Sequence, residues 1–278
     1  MPNITSAVNQ NEPIELVLPA FPGKSPNPYK VLGYLPDYAE VISLKFLDDL
    51  CQSIKEFYAP GMNITICSDG RVFSDIIGMN EAHVTNYQIQ LENLIKSMSL
   101  DTIKIFNLDY LYTNVDFIEM RYQLIKEYAE PLASIQQKIR LGAEASSNLE
   151  NQALNQLYKG ITRFLFEDLK YPGQLKTNSA RQKEAKAKAY KVIQRSDAWS
   201  HLIKAYFPNA VRLSIHPHPC GSQKLGIKLI ADEIWMTPWH GVALEHNNKY
   251  SLVKRSQAES LGAKLVYFPN GQPSHYQL

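Results

Sequence analysis

Several protein classes are excluded by what this sequence lacks. Cysteine is scarce: Cys51, Cys67 and Cys220 are odd in number and show no paired spacing. A disulfide framework is therefore not expected, and the thiols read as reduced in a cytoplasmic protein. No apolar run approaches the roughly 20 residues that a transmembrane helix needs. Residues 1–15 hold no basic stretch leading into an apolar one, so no signal peptide is expected. Charge of one sign is lacking too. A net charge of +2 is too small to argue for nucleic acid, so any cationic function must be local. The spacings CxxC, HExxH and GxxxxGK[ST] are absent, which removes the common zinc, metalloprotease and P-loop signatures. What remains is ordinary in composition, with 45% hydrophobic and 20% charged residues. That is enough to bury a core without staples.

Periodicity organises the chain. Residues 15–21 (ELVLPAF), 63–67 (NITIC) and 102–108 (TIKIFNL) read as strands. Residues 43–58 and 81–98 read as amphipathic helices, the first with Leu44, Leu47, Cys51, Ile54 and Tyr58 on one stripe. A helical stretch over 114–140 is expected to kink or split at Pro131, and a further helix over 149–169 to end at Tyr171-Pro172-Gly173. Residues 178–206 open with a charged run and close apolar, as a half-exposed helix does. The basic residues from Lys183 to Lys191 read as a solvated face. Strands return at 211–215, 225–230 and 264–268, and the tail beyond Pro269 is expected to be loosely ordered. Strands alternating with helices predict an α/β protein with a mainly parallel sheet flanked by helices, and close spacing of the last strands predicts some antiparallel pairing. No repeat or linker is evident. A single domain over residues 1–278 is expected, with a helical subregion over about 114–206.

Four segments carry unusual residue combinations, each at the end of a predicted strand, where ligands of open α/β sheets bind. The first, Phe21 to Pro28 (FPGKSPNP), sets Gly23 beside Lys24 in a proline-stiffened loop, able to hold a phosphate, or else a rigid surface loop. The second, Ser68 to Asp75 (SDGRVFSD), offers Arg71 as a clamp for carboxylate or phosphate, with Asp75 to hold it or act as a general base. The competing view makes the segment a plain turn. The third, Arg212 to Cys220 (RLSIHPHPC), aligns Arg212, Ser214, His216 and His218. These histidines with Cys220 suggest either a metal site or, preferred here, acid–base and hydrogen-bonding roles. In the fourth, Lys224 and Lys228 precede Thr237-Pro238-Trp239-His240-Gly241, a stiff turn presenting a titratable ring. Trp239 reads as core packing, as does a scatter of tyrosines (Tyr87, Tyr110, Tyr112, Tyr122, Tyr128).

Taken together and in this order, FPGKSPNP, SDGRVFSD, RLSIHPHP and TPWHG resemble the signature blocks of the pyoverdine/dityrosine biosynthesis family, in its isocyanide (isonitrile) synthase branch. The likeness spans about residues 18–240 and implies a Rossmann-like α/β fold. It also implies condensation of the α-amine of L-tyrosine, the favoured substrate, or L-tryptophan with ribulose 5-phosphate, whose carbonyl carbon becomes the isonitrile carbon. No metal or redox cofactor is expected, nor contact with nucleic acid or membrane. A separate iron- and 2-oxoglutarate-dependent oxygenase is the implied pathway partner, and a fungal branch uses a formyl-tyrosine route to dityrosine.

The residue inventory fits two anionic substrates. Lys24 and Arg71 are expected to bind phosphate, and Arg212 a carboxylate or phosphate. Lys224 and His218 join this binding set. His216, His240 and Asp75 are the available proton shuttles, and Lys228 is an alternative Schiff-base former. A metal-dependent oxygenase or hydrolase built on His216 and His218, a non-enzymatic phosphosugar- or amino-acid-binding protein and a formyl-tyrosine-type enzyme are the alternatives.

Overall fold

The structure, a computed structural model, describes residues 2–144, 146–171, 174–219, 221–231 and 235–278. They form two compact units, one of Met1–Arg71, Asn80–Leu111 and Phe207–Leu278, the other of Val72–Met79 and Tyr112–Tyr206. In chain order the elements are α1 (Pro2–Gln10), β1 (Ile14–Pro19), α2 (Tyr38–Lys55), β2 (Met62–Cys67), α3 (Gly70–Ile77), α4 (Glu81–Ser97) and β3 (Ile103–Phe106). The helices α5 (Phe117–Tyr128), α6 (Leu132–Leu141), α7 (Leu149–Asp168) and α8 (Asn178–Tyr206) follow. The chain then continues through β4 (Val211–Ser214), β5 (Lys224–Gly226), β6 (Val242–His246), β7 (Lys249–Val253), α9 (Arg255–Ser260), β8 (Lys264–Tyr267) and β9 (Pro273–Gln277).

The first unit is built on a five-stranded sheet of order β3-β2-β1-β4-β5, in which every pairing is parallel. The chain steps outward from β1 to β3, then returns to the other side of β1 with β4. The strand order thus reverses between β1 and β4, the crevice where sheets of this kind take ligands. Alternation along the strands gives the sheet two faces. Leu16, Leu18, Ile64, Ile66 and Leu213 face one core with Leu44, Leu47 and Cys51 of α2 and Tyr87 and Leu91 of α4. Each leucine buried there contributes about 1.5–3 kcal/mol. The register aligns Lys224, Arg212, Val17 and Thr65 in one row on the opposite face.

α2 starts at Tyr38 and ends at Lys55, earlier at both ends than the expected 43–58, and a cap fixes its first turn. Asp37 caps it by accepting from the Ala39 N–H at 2.8 Å, and Glu40 accepts from the Asp37 N–H at 2.9 Å, a closed capping box.

The antiparallel pairing lies in a separate four-stranded sheet of order β7-β6-β9-β8. β6 and β7 form a hairpin whose turn residues Asn247 and Asn248 both have positive φ, 53° and 59°, as a two-residue hairpin turn requires. The tail beyond Pro269 is not loose. β9 lies between β6 and β8, with Ser274, His275 and Tyr276 buried; its backbone is held by partners on both sides.

The second unit is helical. Pro131 separates α5 from α6, since it has no N–H to continue the first helix and stands at the start of the next. Ile135, Ile139 and Ile193 form one core cluster with Leu154, Tyr158 and Ile161, and Leu165, Ala185 and Ala189 form another. Pro172 and Gly173 lie outside the described residues. Among the described residues no helix is long and apolar enough to cross a membrane.

Candidate active site

In the first unit, residues of all four motifs meet at the carboxyl ends of the parallel strands. After β1 the chain turns through Phe21, a fully buried non-glycine residue at φ 57°. Such a backbone costs roughly 1–2 kcal/mol and is held by its surroundings. The Phe21 ring packs on Trp239 at 5.3 Å between centroids, and the Ser68 hydroxyl donates to the Phe21 carbonyl at 2.8 Å. The Ser25 N–H donates to the Trp239 carbonyl at 2.9 Å. Gly70 backs onto the Pro22 carbonyl so closely that a Cβ there would collide with it. Three of the motifs are thus joined by direct contacts.

Lys24 does not reach outward. Its ammonium lies 2.8 Å from Asp37 and 2.7 Å from Glu40, and donates to the Pro238 carbonyl at 3.0 Å. Tyr87 donates to the other oxygen of Glu40 at 3.0 Å. All four side chains are buried. Burial pushes the Asp37 carboxyl up to about 7 despite Lys24, with Glu40 adding to the rise. A lysine with three internal acceptors and no exposed surface is not placed to cradle a phosphate. Its role in the structure is to tie the first motif to α2 and to the turn bearing His240.

Arg71 is likewise buried and bound within the protein. It donates to the Glu81 carboxylate at 2.7 Å, the Glu81 carbonyl at 2.9 Å, Asp109 at 3.2 Å and Thr85. Asp75, expected as its possible partner, belongs to the helical unit. There Asp75 pairs with Arg195 through both carboxylate oxygens and with Arg121 at 3.4 Å. Partial burial raises the Asp75 pKa, but Arg195 and Arg121 outweigh it and hold the carboxyl below its usual range. An acid so stabilised in its ionised form is a poor general base at neutrality.

The third and fourth motifs supply the remaining cations. Arg212 on β4 and Lys224 on β5 stand side by side in the register. Desolvation lowers the pKa of both, and Arg212 lowers Lys224 further. His216 sits just beyond β4. Its imidazole is held below the usual value by desolvation, then by His218 and Lys224, although its exposure lets solvent screen the effect. His218 follows on the same loop and is exposed. Lys228, half-buried, follows β5, where the Ile227 N–H extends the ladder to the Ser214 carbonyl at 2.8 Å. His240 closes a 3-10 turn, Pro238–His240, with its Nδ1 3.2 Å from the Thr237 hydroxyl. Among the described residues no three His, Cys, Asp or Glu side chains gather as a metal site. Cys220 lies outside the described residues.

Asp69 was not singled out from the sequence. It follows β2 directly, and its Oδ1 is buried without a hydrogen-bond partner among the described residues. Burial pushes its carboxyl up to about 7, partly offset by its own backbone N–H and by Arg212. Nearby Cys67 is pushed up to about 12 by burial. The signal was an aspartate immediately after a strand, which turn chemistry also explains. The arrangement therefore pairs cations suited to carboxylate and phosphate with one acid able to exchange a proton near neutrality.

The family described as "Pyoverdine/dityrosine biosynthesis protein" matches residues 4–266. The L-tyrosine isonitrile synthase of Pseudomonas aeruginosa is 46% identical, covering 100% of this chain and 83% of that protein. The L-tryptophan isonitrile synthase AmbI2 of Fischerella ambigua is also 46% identical, covering 97% of this chain and 79% of that one. The crystal structure of the PvcA protein from Pseudomonas aeruginosa superposes with a TM-score of 0.91 at 46% identity, covering 100% of this chain and 89% of that chain.

Proposed function

This chain belongs to the pyoverdine/dityrosine biosynthesis family and is an enzyme of the isonitrile synthase type, and we propose that it converts the α-amine of an aromatic L-amino acid into an isonitrile. L-Tyrosine is the favoured substrate and L-tryptophan the second; relatives named for each are equally similar to this chain. Ribulose 5-phosphate is the proposed carbon donor. The observation that carries the proposal is the meeting of the four motifs at one end of the parallel sheet, with Arg212 and Lys224 neighbours across β4 and β5.

A ketose phosphate and an amino acid bring a phosphate and a carboxylate. Arg212 suits the bidentate geometry of a carboxylate, and Lys224 and Lys228 suit the phosphate as point charges. Lys228 also remains the residue for a Schiff base with the sugar, ranked below direct attack by the substrate amine. His216, below its ordinary pKa and so neutral at pH 7, can accept protons; His218 and His240 are the other imidazoles in this set. Lys24 and Arg71 build the site without touching substrate. A separate oxygenase that acts on the isonitrile product is the proposed pathway partner.

The test is incubation of purified protein with each aromatic amino acid and ribulose 5-phosphate labelled with ¹³C at its carbonyl carbon, followed by mass spectrometry. The expected product has gained one labelled carbon and lost two hydrogens. An unlabelled isonitrile would refute the carbon donor. No isonitrile from any aromatic amino acid would refute the substrate class.

A further inference from the structure

Asp69 has the features of a group awaiting a ligand. Buried polar atoms nearly always find a partner, yet its Oδ1 has none among the described residues. The residue is also rigidly placed. On one side the Ser68 N–H donates to the Phe106 carbonyl at 2.8 Å and the Ser68 hydroxyl to the Phe21 carbonyl at 2.8 Å. On the other, Gly70 lies against the Pro22 carbonyl. Arg212 of β4 acts electrostatically on the Asp69 carboxylate, and Asp69 in turn acts on Cys67 of β2 and Tyr87 of α4. An amino acid at neutral pH is a zwitterion, and its recognition calls for one fixed cation and one fixed anion in the same site. Arg212 and Asp69 are such a pair.

We propose that the Asp69 carboxylate binds the α-ammonium of the amino-acid substrate, takes one proton from it, and returns that proton to the hydroxyl that departs when the amine condenses with a ketone. The proposal rests on the isonitrile synthase function above. The ammonium gives a proton to Asp69, and the freed nitrogen lone pair forms the C–N bond at the carbonyl carbon. One nitrogen-bound proton then moves to the carbonyl oxygen, making a carbinolamine. Asp69 protonates its hydroxyl and the C–O bond breaks. Water leaves, a protonated imine remains, and Asp69 is a carboxylate again. No electrons are exchanged with an outside partner. A carboxyl titrating at about 7 suits both halves of the cycle. Cys67, at about 12, and Tyr87, raised well above its usual value by burial and by Glu40, do not compete for the proton in this range.

The test compares wild type with Asp69→Asn and Asp69→Glu, each first shown to be folded by its melting curve, in two assays. In the first, kcat/KM for L-tyrosine with ribulose 5-phosphate is followed from pH 5.5 to 8.5. Wild type should gain activity through about pH 7 as Asp69 ionises. Asp69→Asn should lose about 100- to 10,000-fold and the acidic limb with it, whereas Asp69→Glu should keep that limb. In the second, calorimetry compares binding of L-tyrosine with 3-(4-hydroxyphenyl)propanoate, which lacks the amine. Wild type should prefer tyrosine by roughly tenfold or more, the worth of a charge-assisted hydrogen bond. In Asp69→Asn that preference should vanish. Turnover within about threefold of wild type, or an undiminished preference for tyrosine, would overturn the inference. Should wild type make no isonitrile, the assigned function fails, and the binding assay still decides whether Asp69 reads the amine.

Discussion

Replacing Lys24 with methionine puts the buried cluster beneath the first motif to the sharpest test. The change keeps the length and apolar stem of the side chain but removes the cation that faces Asp37 and Glu40, both buried, at 2.8 and 2.7 Å. Breaking a buried pair by deleting one partner costs about 3–5 kcal/mol, because the remaining charge has neither water nor counterion. Here two carboxylates are left, so the cost should sit at the upper end near pH 8. The pH dependence follows from the sign of the shift. Asp37 titrates at about 7 in the folded protein against 3.8 ordinarily, so the folded state binds more protons than the unfolded state between those values. Stability therefore falls as pH rises from about 4 to 7. Without Lys24, whose charge lowers it, the Asp37 carboxyl rises further, and the fall should continue beyond pH 7. Urea denaturation of Lys24→Met and wild type at pH 6 and pH 8 measures the difference, which should be larger at pH 8. Adding Asp37→Asn and Glu40→Gln should restore most of the loss. A deficit under about 1 kcal/mol at both pH values would mean that Lys24 is not the counterion the geometry makes it.

Three further outcomes are expected. Arg212→Lys, which keeps the charge but loses the planar fork, should raise KM for the amino acid roughly tenfold with a smaller effect on kcat; steady-state kinetics would refute the assignment if KM is unmoved. Gly70→Ala should destabilise by about 1–3 kcal/mol and also lower turnover, since the new Cβ meets the Pro22 carbonyl and displaces the turn carrying Asp69; denaturation and turnover are measured together. Asp75→Asn should act on the helical unit, costing about 1–3 kcal/mol through lost charge-assisted bonds to Arg195 and Arg121. Hydrogen exchange should quicken around Arg195 in α8, and protection of α2 should not change.

The sequence announces most of the parallel sheet and its helices because their signals are local. The stripe through Leu44, Leu47 and Cys51 marks α2 but misses its capped first turn, and the run Asn63 to Cys67 marks β2 to within a residue. The second sheet is quieter. β6 (VALEH) and β9 (PSHYQ) lack the alternation that marks Asn63 to Cys67, although Asn247-Asn248 is a hairpin signal between β6 and β7. The site is legible as a set of motifs and much less so as a set of roles. A lysine in a glycine-bearing loop suggests a phosphate, yet the partners that occupy Lys24 come from α2, and those that occupy Arg71 come from α4 and the Leu108–Tyr110 turn. Only the fold brings these together. The Asp37-x-x-Glu40 capping box that opens α2 lies ahead of the expected helix start, and nothing local says that its carboxylates also serve a buried cation. Asp69 was hidden for the opposite reason: its neighbours in sequence explain it as a turn residue, and only its burial sets it apart.

The strand order carries a consequence for how this protein is made. β1 sits in the middle of its sheet, yet β4, which covers one of its edges, is synthesised only after the whole helical segment. Until then β1 presents a bare row of N–H and C=O groups flanked by Leu16, Val17 and Leu18, an invitation to pair with another chain. Production at low temperature, or with chaperones that shield nascent strands, should raise the soluble yield, and mutations that slow the folding of α5 to α8 should aggravate aggregation without weakening the finished fold.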